Sequence, residues 1–110
     1  MIVREYGSIA QQVARIIAQY VVFLELADEE SLNPDVAVKM LEALGPELAA
    51  LDRPFLRELI DAFPTVAEDY GGEAGAVVAD IPHSFYLEEV LAADDPIRLA
   101  ELDAVRATTA

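Results

Sequence analysis

Carboxylates are the reactive groups this chain has in quantity: 21 Asp and Glu stand among 110 residues, against 7 Lys and Arg, one His and no Cys. Two pairs, Glu25-x-x-Asp28 and Glu58-x-x-Asp61, have the spacing that puts both side chains on one helix face. On facing helices such pairs could hold magnesium for an all-helical phosphohydrolase, because Mg²⁺ takes hard oxygen ligands. The same spacing arises by chance in so acidic a chain, and a site of that kind needs a further Glu-rich helix. Magnesium chemistry at Glu25, Asp28, Glu58 and Asp61 is therefore the alternative reading. The absence of Cys removes thiolate nucleophiles, disulfides and Cys-based zinc or iron–sulfur sites. A di-iron bundle needs two Glu-x-x-His motifs, and His83 is the one histidine. His83-Ser84 has no glycine-framed nucleophile elbow. Gly71-Gly72-Glu73-Ala74-Gly75 lacks the lysine and the preceding strand of a phosphate loop and reads as a turn. The segment from Asp28 fails as a calcium hand, with Leu32 at a ligand position, Asn33 at the turn glycine and Lys39 at the final Glu. No catalytic residue and no cofactor are assigned.

The charge distribution is more informative than any motif. The net charge is −14, and residues 1–27 contribute nothing to it, since Arg4 and Arg15 balance Glu5 and Glu25. Between Arg57 and Arg98 no Lys or Arg occurs, while ten carboxylates do. A solvated face that keeps the protein soluble is the plain explanation. The functional one is a docking face for a basic protein, formed by Glu58, Asp61, Glu68, Asp69, Glu73, Asp80, Glu88 and Glu89, with Tyr70 and Tyr86 as aromatic contacts. Tyr6 is a third tyrosine that core packing does not claim. Nucleic acid and anionic membrane are excluded as unaided partners, because each phosphate contact needs a cation. The most apolar run, Ile16 to Leu24, is shorter than the ~20 residues of a membrane span, and no secretory leader precedes it. The expected location is the cytoplasm, in keeping with the lack of Cys.

Periodicity predicts helix almost throughout, in a single all-α domain over 1–110. A first helix over about 5–27 carries Ile9, Val13, Ile16, Ile17, Tyr20, Val21 and Leu24 at three- and four-residue steps, so it should be wrapped by the others, with Tyr20 and Phe23 in the core. Asn33-Pro34-Asp35 has the N-cap oxygen, the N1 proline and the dipole-favoured acid of a helix start. The helix that follows, 34–51, has a seam of Ala37, Leu41, Leu44, Leu48 and Leu51, with Gly45-Pro46 expected to bend or split it. Asp52-Arg53-Pro54 repeats the start signal for a helix over 54–63 that Pro64 ends or kinks. The short link should make these two helices neighbours. Thr65 and Glu68 have capping-box spacing for one further turn. A fourth helix is predicted over 74–92, with Pro82 as a kink or fresh start, and a fifth over 96–106 behind Asp95-Pro96. The whole is a compact bundle of four to five helices with Pro and Gly kinks.

Phe23-Leu24-Glu25-Leu26, the acidic run Asp28-Glu29-Glu30, then Pro34-Asp35, Ala37-Val38 and Leu41-Glu42, with Ile81-Pro82 and Leu87-Glu88 later, loosely resemble a group of short acidic bacterial helical proteins of unassigned function. The resemblance implies a bacterial origin and a compact helical fold, and nothing catalytic. The leading expectation is a non-enzymatic interaction module of the immunity-protein or antitoxin type, its acidic face on a basic partner. A structural homo-oligomer, suggested by the 55% apolar content and the seam of the second helix, is the other alternative.

Overall fold

The computed structural model describes residues 7–109. Seven helices and no strand occur among them: α1 Ile9–Leu26, α2 Pro34–Ala49, α3 Arg53–Ala67, α4 Gly72–Ala79, α5 Ile81–Ser84, α6 Leu87–Leu91 and α7 Pro96–Thr109. The molecule measures 42 × 41 × 25 Å, which makes it about two helix diameters thick. α1 and α3 form the central pair. α4 lies against both, α2 against α1 and α6, and α7 packs against α6 and reaches α5 through Arg106.

The start signals work as their chemistry dictates. The Asn33 side chain accepts from the Asp35 amide at 2.8 Å, Asp52 from Phe55 at 3.2 Å and Asp95 from Arg98 at 3.0 Å. The first helix begins at Ile9 rather than near residue 5. Ser8 and Gln11 form a reciprocal capping box there, behind Gly7 at φ +81°. Tyr6 lies outside the described residues.

Other expectations are corrected. α3 runs through Pro64 to Ala67 instead of ending at 63, and so absorbs the separate turn expected at Thr65–Glu68. Leu59, Phe63 and Val66 are all fully buried at i, i+4 and i+7, and keeping that register outweighs the roughly 3 kcal/mol local cost of an interior proline. α2 continues through Gly45-Pro46 for the same reason, with Leu48 buried beyond it. The single helix expected over 74–92 is three short ones. Asp80 closes α4, Pro82 sits in the first turn of α5, and Tyr86 breaks the chain again in the left-handed region at φ +56°. Gly71 and Gly72 do turn the chain, both at positive φ, but α4 starts at Gly72, so four of the five residues from Gly71 to Gly75 are helical rather than a turn. α2 does not run along α3 as the short link suggested. Of its leucine seam, Leu48 enters the common core and Leu41, Leu44 and Leu51 pack partly buried against it.

The largest correction concerns α1. Its core face is Ala10, Ala14, Ala18, Val21 and Leu24, while Ile9, Ile16, Tyr20 and Phe23 are open to water. Alanines one turn apart let α3 approach closely enough to bury Leu56, Leu59, Phe63 and Val66 completely. Ala14→Leu should therefore overpack the α1–α3 contact and cost about 1–3 kcal/mol. Urea unfolding measures it, and an unchanged midpoint would return the core to the isoleucine face.

Candidate functional site

Four helices meet around a groove of about 740 Å³. α1 contributes Val21 and Glu25, α2 contributes Leu41, Glu42 and Gly45, α4 contributes Glu73, Ala76 and Val77, and the broken segment behind it contributes Asp80, Ile81, Ser84, Phe85 and Tyr86. Val21, Leu41, Val77, Ile81 and Phe85 make the lining apolar, and Glu25, Glu42, Glu73 and Asp80 supply four carboxylates with no Lys, Arg or His among the lining residues. Gly45 lies beside the Phe85 ring, whose nearest carbon would make ordinary van der Waals contact, at 3.5 Å, with a Cβ there. Glu25, Glu42, Glu73 and Asp80 form no ion pair among the described residues; Asp80 accepts from the Ser84 hydroxyl at 2.7 Å.

Tyr86 stands at one edge of the groove and is held from outside. The Arg106 guanidinium lies 3.7 Å from the centre of its ring, donates at 2.7 Å to the His83 carbonyl, and donates at 2.7 and 3.3 Å to the two Glu89 oxygens. Its Nη1 is 3.0 Å from His83 Nε2. A guanidinium only donates, so Nε2 accepts and a neutral His83 carries its proton on Nδ1. Hydrogen bonds from Arg106 hold the Glu89 carboxyl below the usual range, and Arg106 itself is raised by the same contact.

Of the ten residues nominated for partner binding, the groove gathers Glu73, Asp80 and Tyr86. The other seven lie elsewhere, several of them neutralised by arginines far away in sequence. Asp69 pairs with Arg15. Arg57 bridges Asp61 at 2.7 Å and Glu88 at 2.8 Å, and both carboxylates raise its pKa. Arg98 also reaches Glu88, and Glu89 pairs with Arg106. Glu68 caps α3, Tyr70 packs against the core, and Glu58 is exposed on α3. Four carboxylates of the lysine- and arginine-free span, Asp61, Asp69, Glu88 and Glu89, are thus paired with arginines from outside it.

The magnesium quartet does not assemble. Glu25 faces the groove, Asp28 accepts from the Ser31 amide at 2.8 Å and is lowered by that bond, and Asp61 is taken by Arg57. Among the described residues no group of three or more potential ligands is placed to hold a metal. Glu42, Gly45 and Phe85 were not assigned to a site from sequence. The signal available was Gly45 itself, one turn from Leu41 on a helix otherwise lined with leucine. α1, at 18 residues, is also long and apolar enough to cross a membrane by length and composition, longer than the run read from sequence. No family model matches the chain, and no curated protein or solved structure matches it.

The Glu89–Arg106 contact makes α7 docking pH-dependent. Glu89 has a folded pKa below the ordinary ~4.3, so its contribution is complete above that value and is lost as pH falls through the folded one. Amide protection factors in α7 should drop between about pH 5 and pH 3, and Arg106→Gln should lower them at both. Equal protection at the two pH values in the native chain would show that another contact docks α7.

Proposed function

We propose that this protein is a non-enzymatic interaction module whose acid-rimmed groove holds a cationic, amphipathic segment of a basic protein. The observation that carries the reading is the groove lining, in which an apolar floor is surrounded by four carboxylates that form no ion pair among the described residues, Arg106 acting on Asp80 only from behind Tyr86. An apolar side chain of the partner would fill the floor beside Phe85 and Val77. Lysine or arginine heads on either side of it would reach Glu25, Glu42, Glu73 and Asp80. The volume is in the range that encloses a few side chains. Tyr86, half of whose surface is exposed, offers an aromatic contact of the kind that dominates interface energetics.

Masking a cationic surface demands charge and shape and no reacting group, which suits an immunity protein or antitoxin acting in the cytoplasm. The net charge of −14 serves the same end by speeding encounter with a basic partner. Nucleic acid and anionic membrane are poor partners for the same groove, because its charge is of their own sign.

A synthetic helical peptide of alternating Leu and Lys faces serves as the probe, titrated by calorimetry at two salt concentrations. Charge reversal inside the groove, Glu42→Lys with Glu73→Lys, should weaken binding by roughly tenfold or more, equivalent to about 1.4 kcal/mol. Reversal of Glu58 and Asp94, which changes net charge equally but lies off the groove, should leave most of the affinity. Equal losses from the two pairs would mean that the peptide senses bulk charge alone, and the groove would lose its role.

A further inference from the structure

We propose that the outward face of α1 is a self-association seam on which a second copy of this chain packs antiparallel, about a two-fold axis at Ile16. The exposed apolar residues of α1 are not scattered. Exposed Ile9, Ile16, Tyr20 and Phe23, with the partly buried Val13 between the first two, follow one another at steps of 4, 3, 4 and 3, the repeat that keeps a helix seam facing a partner helix, while exposed Leu26 lies off that line. Ile9 is 71% exposed, Ile16 68%, Phe23 52% and Tyr20 38%. The chain's own fold covers this seam little, because α1 faces the core with its alanines.

Charge selects a second copy as the occupant. A chain of net charge −14 repels its own image over most of its surface. α1 carries one Arg and one Glu, and neither belongs to the seam: Arg15 pairs with Asp69 and Glu25 faces the groove. Gln12 and Gln19 flank the seam, so two copies meet there without juxtaposed charges. The helix was already the stretch with no net charge, and the structure now puts that neutrality on the surface.

Size and shape agree. The four large side chains leave roughly 500 Å² open per chain, about 1,000 Å² for a symmetric pair, the size at which a specific interface begins. Antiparallel pairing about Ile16 sets Phe23 near the partner's Ile9 and Tyr20 near the partner's Val13. Large thus faces small along the seam. None of the seam residues lines the groove, so the dimer leaves the groove open.

Sedimentation equilibrium of the full chain over a range of concentrations tests this. The native chain should approach about 24 kDa, twice the 11.9 kDa of one chain. Ile16→Glu should hold the mass at 11.9 kDa with unchanged far-UV circular dichroism, because each new carboxylate meets its own image across the axis. Mixing Ile16→Glu with Ile16→Lys should restore the dimer. That rescue requires residue 16 to face residue 16, which general stickiness does not provide. Phe23→Glu is the second variant and should weaken association by roughly tenfold. A native mass of 11.9 kDa at every concentration overturns the proposal. So does a dimer indifferent to both substitutions. Flotation of a monomeric native chain with neutral phosphatidylcholine vesicles, abolished by Ile16→Glu, would instead assign the seam to lipid.

Discussion

The close approach of α1 to α3 is the constraint on which the rest of the molecule depends. Ala10, Ala14 and Ala18 present a shallow strip, and α3 brings Leu56, Leu59, Phe63 and Val66 to complete burial in the same core. A helix has one inward face. Once alanine occupies it, the larger residues of α1 are displaced around the cylinder. Val21 and Leu24 stay at its margin and finish the core, and Val21 also floors the groove. Ile9, Ile16, Tyr20 and Phe23 are carried out of the core by about 120° of helix rotation. Groove and seam are thus two consequences of one packing choice.

Arginine fastens the remaining helices to this pair. Arg53 donates to the Val90 and Leu91 carbonyls at 3.0 and 3.3 Å, which satisfies the carboxyl end of α6 from the start of α3. Arg57 ties α3 to Glu88 on the same short helix, and Arg106 ties α7 to Glu89, His83 and Tyr86. Exposed pairs of this kind contribute little stability singly. Their geometric effect is larger, because α5 and α6 are too short to persist without tertiary contacts. They also place Tyr86, whose left-handed backbone is costly for a residue with a side chain and must be held by its surroundings.

What the sequence made legible was the local chemistry. Asn33, Asp52 and Asp95 are caps because their oxygens reach amides two or three residues on, a matter settled within one turn of helix. The all-α class follows from apolar residues recurring every three to four positions. What was not legible depends on residues distant in sequence. Periodicity on α1 marks two candidate faces, and hydrophobicity favours isoleucine. The choice of alanine is made by α3, whose large side chains fill the space. Pro64 breaks an isolated helix but not one whose next turn buries Val66. The acidic span reads as one face only while Arg15, Arg57, Arg98 and Arg106 are out of sight, since the fold returns them to it. The groove escaped notice because its lining comes from α1, α2, α4 and the segment behind α4, which only the fold brings together.

The arginines also settle which carboxylates are free to act on something else. With 21 acids and 7 bases, most carboxylates must go unpaired, so an unpaired acid is uninformative by itself. Position is what distinguishes them. Glu88 is paired with Arg57 between α3 and α6, and Glu89 with Arg106 beneath α7. The carboxylates at the groove are not, although Asp80 follows α4 and Ser84 lies only one turn beyond it. An unpaired acid beside apolar surface is the arrangement that a cationic side chain with an alkyl stem complements, since one group satisfies the charge and covers the floor. The seam on α1 has the opposite character, neutral and apolar, and suits a partner with the same charge as the chain itself. The two surfaces of this helix thus differ in the charge of the partner proposed for each, and the difference follows from where Arg15 and Glu25 stand relative to the alanine strip.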